Sequence, residues 1–411
     1  MSETANSTGT VLPDGTAALR QAQLLRKPSI GAGMPPRLCP IADLDDEAWE
    51  TLAERATEPN GYYLPEWLSA VSATARGRIG ANALCAWDRS EARPRLLGLI
   101  PLISLWRTYR IPLPGLASAD PYGTLGTPLL DRNDPVAAAN ALIAEARASG
   151  THALLLRDVA IESRASDAFR AALASLGLQP AIIQSHKRAC LDATRDAEEL
   201  LRDALGAKKL KELRRQRNRL AEMGEVVFVI SRTPDEVARA LDTFLVLESS
   251  GWKAKRGTAL LQHGGDSAFI RRAAVELSAQ GRCEIVTLMA GATPVASAVV
   301  LRHLDRAFYF KLGVDERYAK LSPGVQLTID LTRYLCADPD IATVDSTAAP
   351  GHPMIDPIWR GRLAIGDMLI PLRRNDPVFA LIRASLALRR AVREPIRHFI
   401  KVFRDFKEKR P

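Results

Sequence analysis

The chain has 411 residues, 47% of them hydrophobic and 25% charged, the balance of a soluble globular protein with room for two to three domains. Its five cysteines include no CxxC and have no histidine at metal-ligand spacing, which excludes a disulfide scaffold and a zinc module and reads as reduced thiols in a cytoplasmic protein. Net charge is +9, but residues 383–411 alone hold ten Lys/Arg against three Asp/Glu, so the basic balance belongs to a C-terminal tail rather than to the body.

Residues 1–36 are rich in Ser, Thr, Gly and Pro, lack the apolar segment of a secretory signal and read as disordered. Helical patterns follow at 45–56 and 65–75, then strand-like runs at 83–87 and 95–104. The most apolar run, 96–106, contains Pro101 and is too short to cross a bilayer. A Gly/Pro-rich loop covers 112–127. Helices are expected at 135–149 and 166–176, with a strand over "HALLLRDV" between them. A strongly helical segment, 193–223, bridges to a second region that opens with a strand at 225–231. There "TPDE" (233–236) reads as a capping box with Pro at the first helical position, starting a helix to about 249. A helix at 266–280 precedes three strands at 282–289, 294–303 and 306–314, with "AGAT" turning between the first two. Helix 324–335, strand 342–345, a loop and a strand near 363–370 complete the body.

The junction "GVDERYAKLSPGVQLTIDLTRYL" (313–335) passes from strand to helix through Ser322-Pro323-Gly324. A Pro in a first turn with Gly beside it leaves backbone N–H groups uncovered. Helix starts of this kind hold phosphates, and they also begin ordinary helices. The segments "LCAWDRSEARPRLLGLIPLI" and "IVTLMAGATPVASAVVLR" both read as hairpins in similar helical surroundings, a faint internal repeat. No GxSxG elbow, Walker loop or HExxH occurs.

The element order over 225–345 resembles a GNAT acyltransferase. That family's phosphate loop, Arg/Gln-x-x-Gly-x-Gly/Ala, falls on Ala319 to Gly324; Gly324 matches, while Ser322 and Ala319 depart from it. "FLVLESSGWKAKRGTAL", "AFYFKLGVD", "YAKLSPG", "KKLKELRRQRNRL", "YYLPEWLSA" and "LLGLIPL" together resemble the CelD-type acyltransferases of exopolysaccharide clusters, relatives of the FemABX peptidyltransferases, over about 37–372. The resemblance implies an α/β (α+β) fold of tandem GNAT-like halves, each a bent, mostly antiparallel sheet flanked by helices. It divides the chain into a degenerate domain (37–192), an acyltransferase domain (193–375) and a basic amphipathic tail (376–411). It also implies acyl-CoA, in the first place acetyl-CoA, as co-substrate without a metal. The CoA pyrophosphate would lie at Val314, Ser322, Pro323, Gly324 and Val325, with the first half structural or acceptor-facing. The helical hairpin found in FemABX proteins that use aminoacyl-tRNA is not seen.

Such a transferase works by aligning thioester and acceptor. Keeping an amine acceptor neutral at pH 7 costs roughly 4–5 kcal/mol, so a base is useful. The candidates are Glu248, Asp345, His352 and Tyr309; each also has an ordinary structural reading, Glu248 as a partner of Lys253 or Lys255, Asp345 as a turn cap. Trp252, Lys253 and Lys311 are the candidate substrate contacts, with Tyr309 and Lys311 expected on one strand face. The function expected is N- or O-acylation of a sugar, a lipid-linked sugar or a related small molecule. The alternatives are a FemABX-like transfer from aminoacyl-tRNA and a non-catalytic scaffold in polysaccharide assembly. Seven Lys/Arg lie within 208–219, but aromatic residues for base stacking are missing, so nucleic acid is not an expected partner outside the tRNA alternative. In the tail, Ile396, Phe399, Ile400, Phe403 and Phe406 form one helical stripe after a break at Pro395. That pattern suits either peripheral contact with an anionic membrane or packing on the protein itself.

Overall fold

The structure, a computed structural model, describes residues 38–88, 90, 94–250, 257 and 259–408, with side chains as far as residue 392. The first half runs β1 (Leu38–Pro40), α1 (Asp46–Glu54), α2 (Pro65–Thr74), β2 (Asn82–Asp88), β3 (Arg95–Ser104), α3 (Leu105–Tyr109), β4 (Gly115–Ser118), β5 (Leu129–Leu130), α4 (Pro135–Ala148), β6 (Ala153–Ala160), α5 (Arg164–Ser175) and β7 (Ala181–Asp192). The second runs α6 (Ala197–Leu220), β8 (Val226–Ser231), α7 (Pro234–Ser250), α8 (Gly264–Ala279), β9 (Cys283–Ala290), β10 (Thr293–His303), β11 (Arg306–Val314), α9 (Pro323–Cys336), β12 (Thr343–Asp345), β13 (Gly361–Pro371) and α10 (Pro377–Glu408).

Local chemistry explains the helix starts. Thr233 and Glu236 form the reciprocal capping box of α7, each side chain accepting from the other's backbone N–H. Asp45, Asp134, Ser163 and Asp196 cap α1, α4, α5 and α6, each by a side-chain oxygen that accepts a first-turn N–H. The long helical segment is bent where Gly206 leaves helical geometry at φ 70°, ψ 162°. Pro395, expected to end the tail helix, lies inside α10, which continues to Glu408. A proline removes one rung of the ladder, about 3 kcal/mol, and a helix this long and anchored at its start absorbs the loss. The expected disorder of 1–36, Trp252, Lys253 and the side chains of the tail stripe lie outside the described residues.

All strands join one sheet in the order β1-β2-β3-β4-β6-β13-β7-β12-β11-β10-β9-β8, with β5 paired to β3. The order contains two copies of one unit. In each copy the ladder is antiparallel until its parallel pair, β4–β6 in one and β11–β12 in the other. The copies then exchange their last strands. β7, which follows β6 in sequence, pairs with β12, while β13, which follows β12, pairs with β6. β7 and β13 pair with each other and fuse the two units into a continuous sheet.

α4 and α5 cover one face of the first half against Leu154 and Leu156; α10 covers the other with Ile382 and Leu386 against Ala153 and Leu155. In the second half α6 and α9 pack on the Ala307 face, α7 and α8 on the Phe308 face. The largest core joins the halves, with Trp49, Tyr62 and Trp67 buried among Phe244, Phe269 and Phe308. Edge-to-face contacts of Trp67 with Phe269 (5.0 Å) and Phe310 (4.8 Å) add about 0.5–1.5 kcal/mol each to the burial. His303 on β10 is a polar clasp at this junction. Its Nδ1 accepts from Asn60 N–H at 2.8 Å and its Nε2 faces Ala53 O at 2.9 Å.

Candidate functional site

β11 and β12 pair only where Arg306–Phe308 meets Thr343–Asp345, and β11 then continues to Val314 with β10 on one side and no β12 on the other. The sheet therefore opens beside the second part of β11. Leu312, Val314, Tyr318, Val325, Ala348 and Met354 line the opening as partly buried apolar residues. α9 points its N-terminus here. Its ladder begins with Gln326 N–H on Ser322 O, so the N–H groups of Gly324 and Val325 precede it. Ser322 has φ 51° and ψ 47°, a left-handed conformation natural to glycine. The family motif that has Gly at this position thus meets a serine holding a glycine's backbone shape. A Cβ on Gly324 would lie 3.0 Å from Leu312 Cδ2 and 3.4 Å from Met354 Sδ, so the helix start sits close against the opening.

Of the residues chosen from sequence, Glu248, a candidate base, and Lys311, a candidate substrate contact, come together. Glu248 is buried; Oε1 takes Lys311 Nζ at 3.1 Å and Oε2 accepts Leu260 N–H at 2.8 Å. Gly313 makes the approach possible, since a Cβ there would stand 2.7 Å from Glu248 N. Tyr309 and Lys311, however, do not share a face. The β10–β11 register shifts between Val299↔Lys311 and Val300↔Tyr309, leaving Phe310 as a bulged residue. The bulge breaks the alternation of two. Tyr309 turns to α9, its hydroxyl 3.1 Å from Thr328 Oγ1, and burial pushes its pKa up. Lys311 turns to α7.

Asp345 is buried in an ion pair with Arg188 of β7 and also accepts Thr347 N–H at 2.8 Å. Arg188 donates in turn to Thr124 O at 2.6 Å, tying this strand end to the first half. His352 accepts Met354 N–H at 3.3 Å through Nδ1, as a turn cap does.

The side of the site formed by the first half was not chosen from sequence. Tyr122, in the loop after β4, lies beneath Lys311, whose Nζ is 5.8 Å from its ring centroid. Arg78 stacks on the same ring at 4.2 Å and pairs with Asp120 at 2.7 Å. Thr124 Oγ1 donates to Thr347 O at 3.1 Å, so this loop meets the loop after β12. A cavity of about 300 Å³ under it is walled by Arg78, Asp120, Tyr122, Arg157 and Asp158. Its signal is "DPYGTLGTP", which follows β4 as the Ser-Pro-Gly loop follows β11; repeat position, and not glycine spacing, marks it.

The opened strand pair, the helix N-terminus beneath it and a polar cluster on the opposite face together form the candidate site. Residues 207–351 match the family model described as Acetyltransferase (GNAT) domain. The chain is similar in fold to the crystal structure of FemX, with TM-score 0.53 and 12% identity over 83% of this chain and 98% of that one. It is also similar to the C-terminal domain (DUF2156) of a putative lysylphosphatidylglycerol synthetase from Agrobacterium fabrum, with TM-score 0.50 and 15% identity over 84% and 97%. At these identities the likeness is one of fold. No curated protein sequence matches the chain.

Proposed function

We infer that the chain is an acyl-CoA-dependent acyltransferase, with acetyl-CoA as donor, acting on an amine or hydroxyl of a sugar, lipid-linked sugar or related small molecule. The observation that carries this is the parting of β11 from β12 directly above the start of α9, within the span that matches the GNAT family model. In this reading the CoA diphosphate lies on the Gly324 and Val325 N–H groups, where the helix dipole favours negative charge. Leu312, Val314, Tyr318 and Met354 border the pantetheine. The acceptor enters from the Lys311 face, and Glu248 serves as the base, Lys311 holding its carboxylate in place. Asp345, His352 and Tyr309 keep structural roles, because each is committed to a partner elsewhere.

Calorimetric titration with acetyl-CoA tests the donor site. Gly324→Val drives a branched side chain at Leu312 and should weaken binding at least tenfold, about 1.4 kcal/mol. Unchanged affinity in a folded variant removes the diphosphate from this helix.

A second reading, transfer from aminoacyl-tRNA, is favoured by the exposed cations Lys208, Lys209, Lys211, Arg214, Arg215 and Arg219 on α6. α6 stands against the same loop, Gln216 Nε2 donating to Lys320 O at 3.3 Å. Charged tRNA binding that falls steeply with salt, with acetyl-CoA unbound, would select it. A peripheral contact of the far part of α10 with an anionic membrane belongs to the lipid-linked version of the first reading. Among the described residues no helix is long and apolar enough to cross a membrane.

A further inference from the structure

The first half has its own parted strand pair. β4 and β6 are laddered only at Gly115–Ala117 with Ala153–Leu155; beyond that the Ser118 hydroxyl takes the Arg157 N–H at 2.8 Å in place of a backbone carbonyl. Here β6 bulges. The registers of β6 with β13 and of β13 with β7 shift at the same place, and Asp158 sits at φ 51°. Such strain in a non-glycine residue costs of order 1–3 kcal/mol and persists where surroundings impose it. The distortion brings charged side chains into the middle of a sheet.

Arg157 and Asp158 wall two cavities at once, the one of about 300 Å³ under the Tyr122 loop and another of about 230 Å³ beside Asp367, Arg389 and Arg390. The first is at the small end of the roughly 300–1,000 Å³ usual for small-molecule sites. The neighbouring charges are engaged. Asp120 is held by Arg78, while Asp367 accepts from Asp158 N–H at 3.0 Å and from Gln184 Nε2 at 2.7 Å. Arg390 donates to Ile183 O, and Arg389 donates to Tyr109 O at 2.8 Å while its Nε is buried without a partner. Arg157 differs from these. Among the described residues, neither its guanidinium nor the Asp158 carboxylate makes a side-chain hydrogen bond or a close ion pair, although the charges of Asp158, Asp120 and Asp367 act on the guanidinium from a greater distance. Burial, and then the neighbouring Asp367 charge, push the Asp158 pKa up, which eases its position beside an anionic ligand.

An unpaired guanidinium in a cavity is matched by an oxyanion, which it grips through two parallel N–H donors. A carboxylate beside it suits hydroxyl donors. Arg78 brings a second guanidinium to the wall of the same cavity, so a tetrahedral group with several oxygens fits better than a planar carboxylate. We propose that the Arg157 cavity is a subsite for a phosphorylated, hydroxyl-bearing small molecule of sugar size, with the phosphate on Arg157 and hydroxyls on Asp158. Tyr122 lines this cavity and lies under Lys311, so the bound molecule's far end reaches the Glu248–Lys311 pair. As an acceptor subsite this rests on the acyltransferase reading; as a phosphate site it stands by itself.

The test uses the full-length protein and calorimetric titration with glucose 6-phosphate and with glucose. Wild type should bind the phosphate ester at least tenfold more tightly than glucose. Arg157→Gln should lose that preference while retaining acetyl-CoA affinity. Equal affinities in wild type, or a preference surviving in Arg157→Gln, overturn the site. If the preference behaves as expected while acetyl-CoA neither binds nor turns over, the phosphate site stands and the acyltransferase reading falls. Should Arg157→Gln fail to fold, phenylglyoxal labelling of wild type decides: inorganic phosphate should protect the Arg157 peptide, and undiminished labelling refutes the assignment.

Discussion

Replacing His303 by Phe removes the polar clasp between the halves, and its cost follows from the contacts. The imidazole is 3% exposed and Asn60, whose N–H it accepts, is fully buried. Phe fills a similar volume but leaves the buried Asn60 N–H without a partner, while the Ala53 carbonyl keeps the bond from Ala56 N–H at 3.1 Å. One stranded group costs roughly 1–3 kcal/mol, so about 1–3 kcal/mol is expected near neutral pH. Acid gives an independent measure of the same clasp. Burial pushes the His303 pKa down to about 4 from an ordinary 6.5. The unfolded chain then binds the proton first as pH falls. The histidine's contribution is complete above pH 6.5 and is lost progressively toward pH 4, in total about 3 kcal/mol. Urea unfolding followed by tryptophan fluorescence at pH 7.5, 6.5, 5.5 and 4.5 measures both effects. Wild type should lose stability faster than His303→Phe over the lower three points. Parallel profiles, or a loss below about 1 kcal/mol at pH 7.5, would refute the clasp.

Three further outcomes are expected. Ser322→Gly relieves a left-handed serine that costs about 1–2 kcal/mol, so it should raise the thermal midpoint without weakening acetyl-CoA binding; a lower midpoint contradicts the conformation. Glu248→Gln should lower turnover by about 10²–10⁴ with acetyl-CoA affinity intact, whereas Asp345→Asn should chiefly destabilise, by about 3–5 kcal/mol, because it strands Arg188 in the interior; near-normal turnover in the first variant, or a stable second one, reverses the assignments. A chain ending at Asp376 loses the buried Ile382 and Leu386 and should aggregate, while one ending at Val392 keeps both. In co-sedimentation the Val392 chain should lose binding to anionic vesicles that the full chain shows, and equal binding of the two removes the tail from the membrane contact.

What could be read from the sequence was local. The capping box at Thr233, the hairpin at "AGAT" and the strand-to-helix junction at Ser322 depend on residues a few positions apart, and they stand where the spacing puts them. Pairings across the chain are less visible. β7 has no clear alternation of burial in the polar stretch Gln184–Arg188, since its fitness as a strand depends on β12 and β13. The bulge at Phe310 moves Lys311 to the other face through a register shift against β10, which a periodicity of two cannot foresee. Arg78, Tyr122 and Arg157 reach the site from the first half only because the halves share a core, and His303 looks like any lone histidine until Asn60 and Ala53 close around it.

The exchange of last strands governs the order in which the protein becomes itself during synthesis. β7 leaves the ribosome with neither neighbour available, because β12 and β13 are encoded about 150 residues later. At roughly 5–20 residues per second it waits on the order of 8–30 seconds with both hydrogen-bonding edges bare. Bare edges invite pairing with other chains, and charged residues in the strand discourage it. The run Gln184-Ser185-His186-Lys187-Arg188 in the middle of β7 is thus a guard for the nascent chain as well as a part of the finished sheet. Exchanging Ser185, His186 and Lys187 for Val and Thr, with Gln184 and Arg188 kept for their bonds to Asp367 and Asp345, would leave the final ladder intact while lowering the yield of soluble protein, a defect that arises on the way to the fold and leaves no mark on the finished structure.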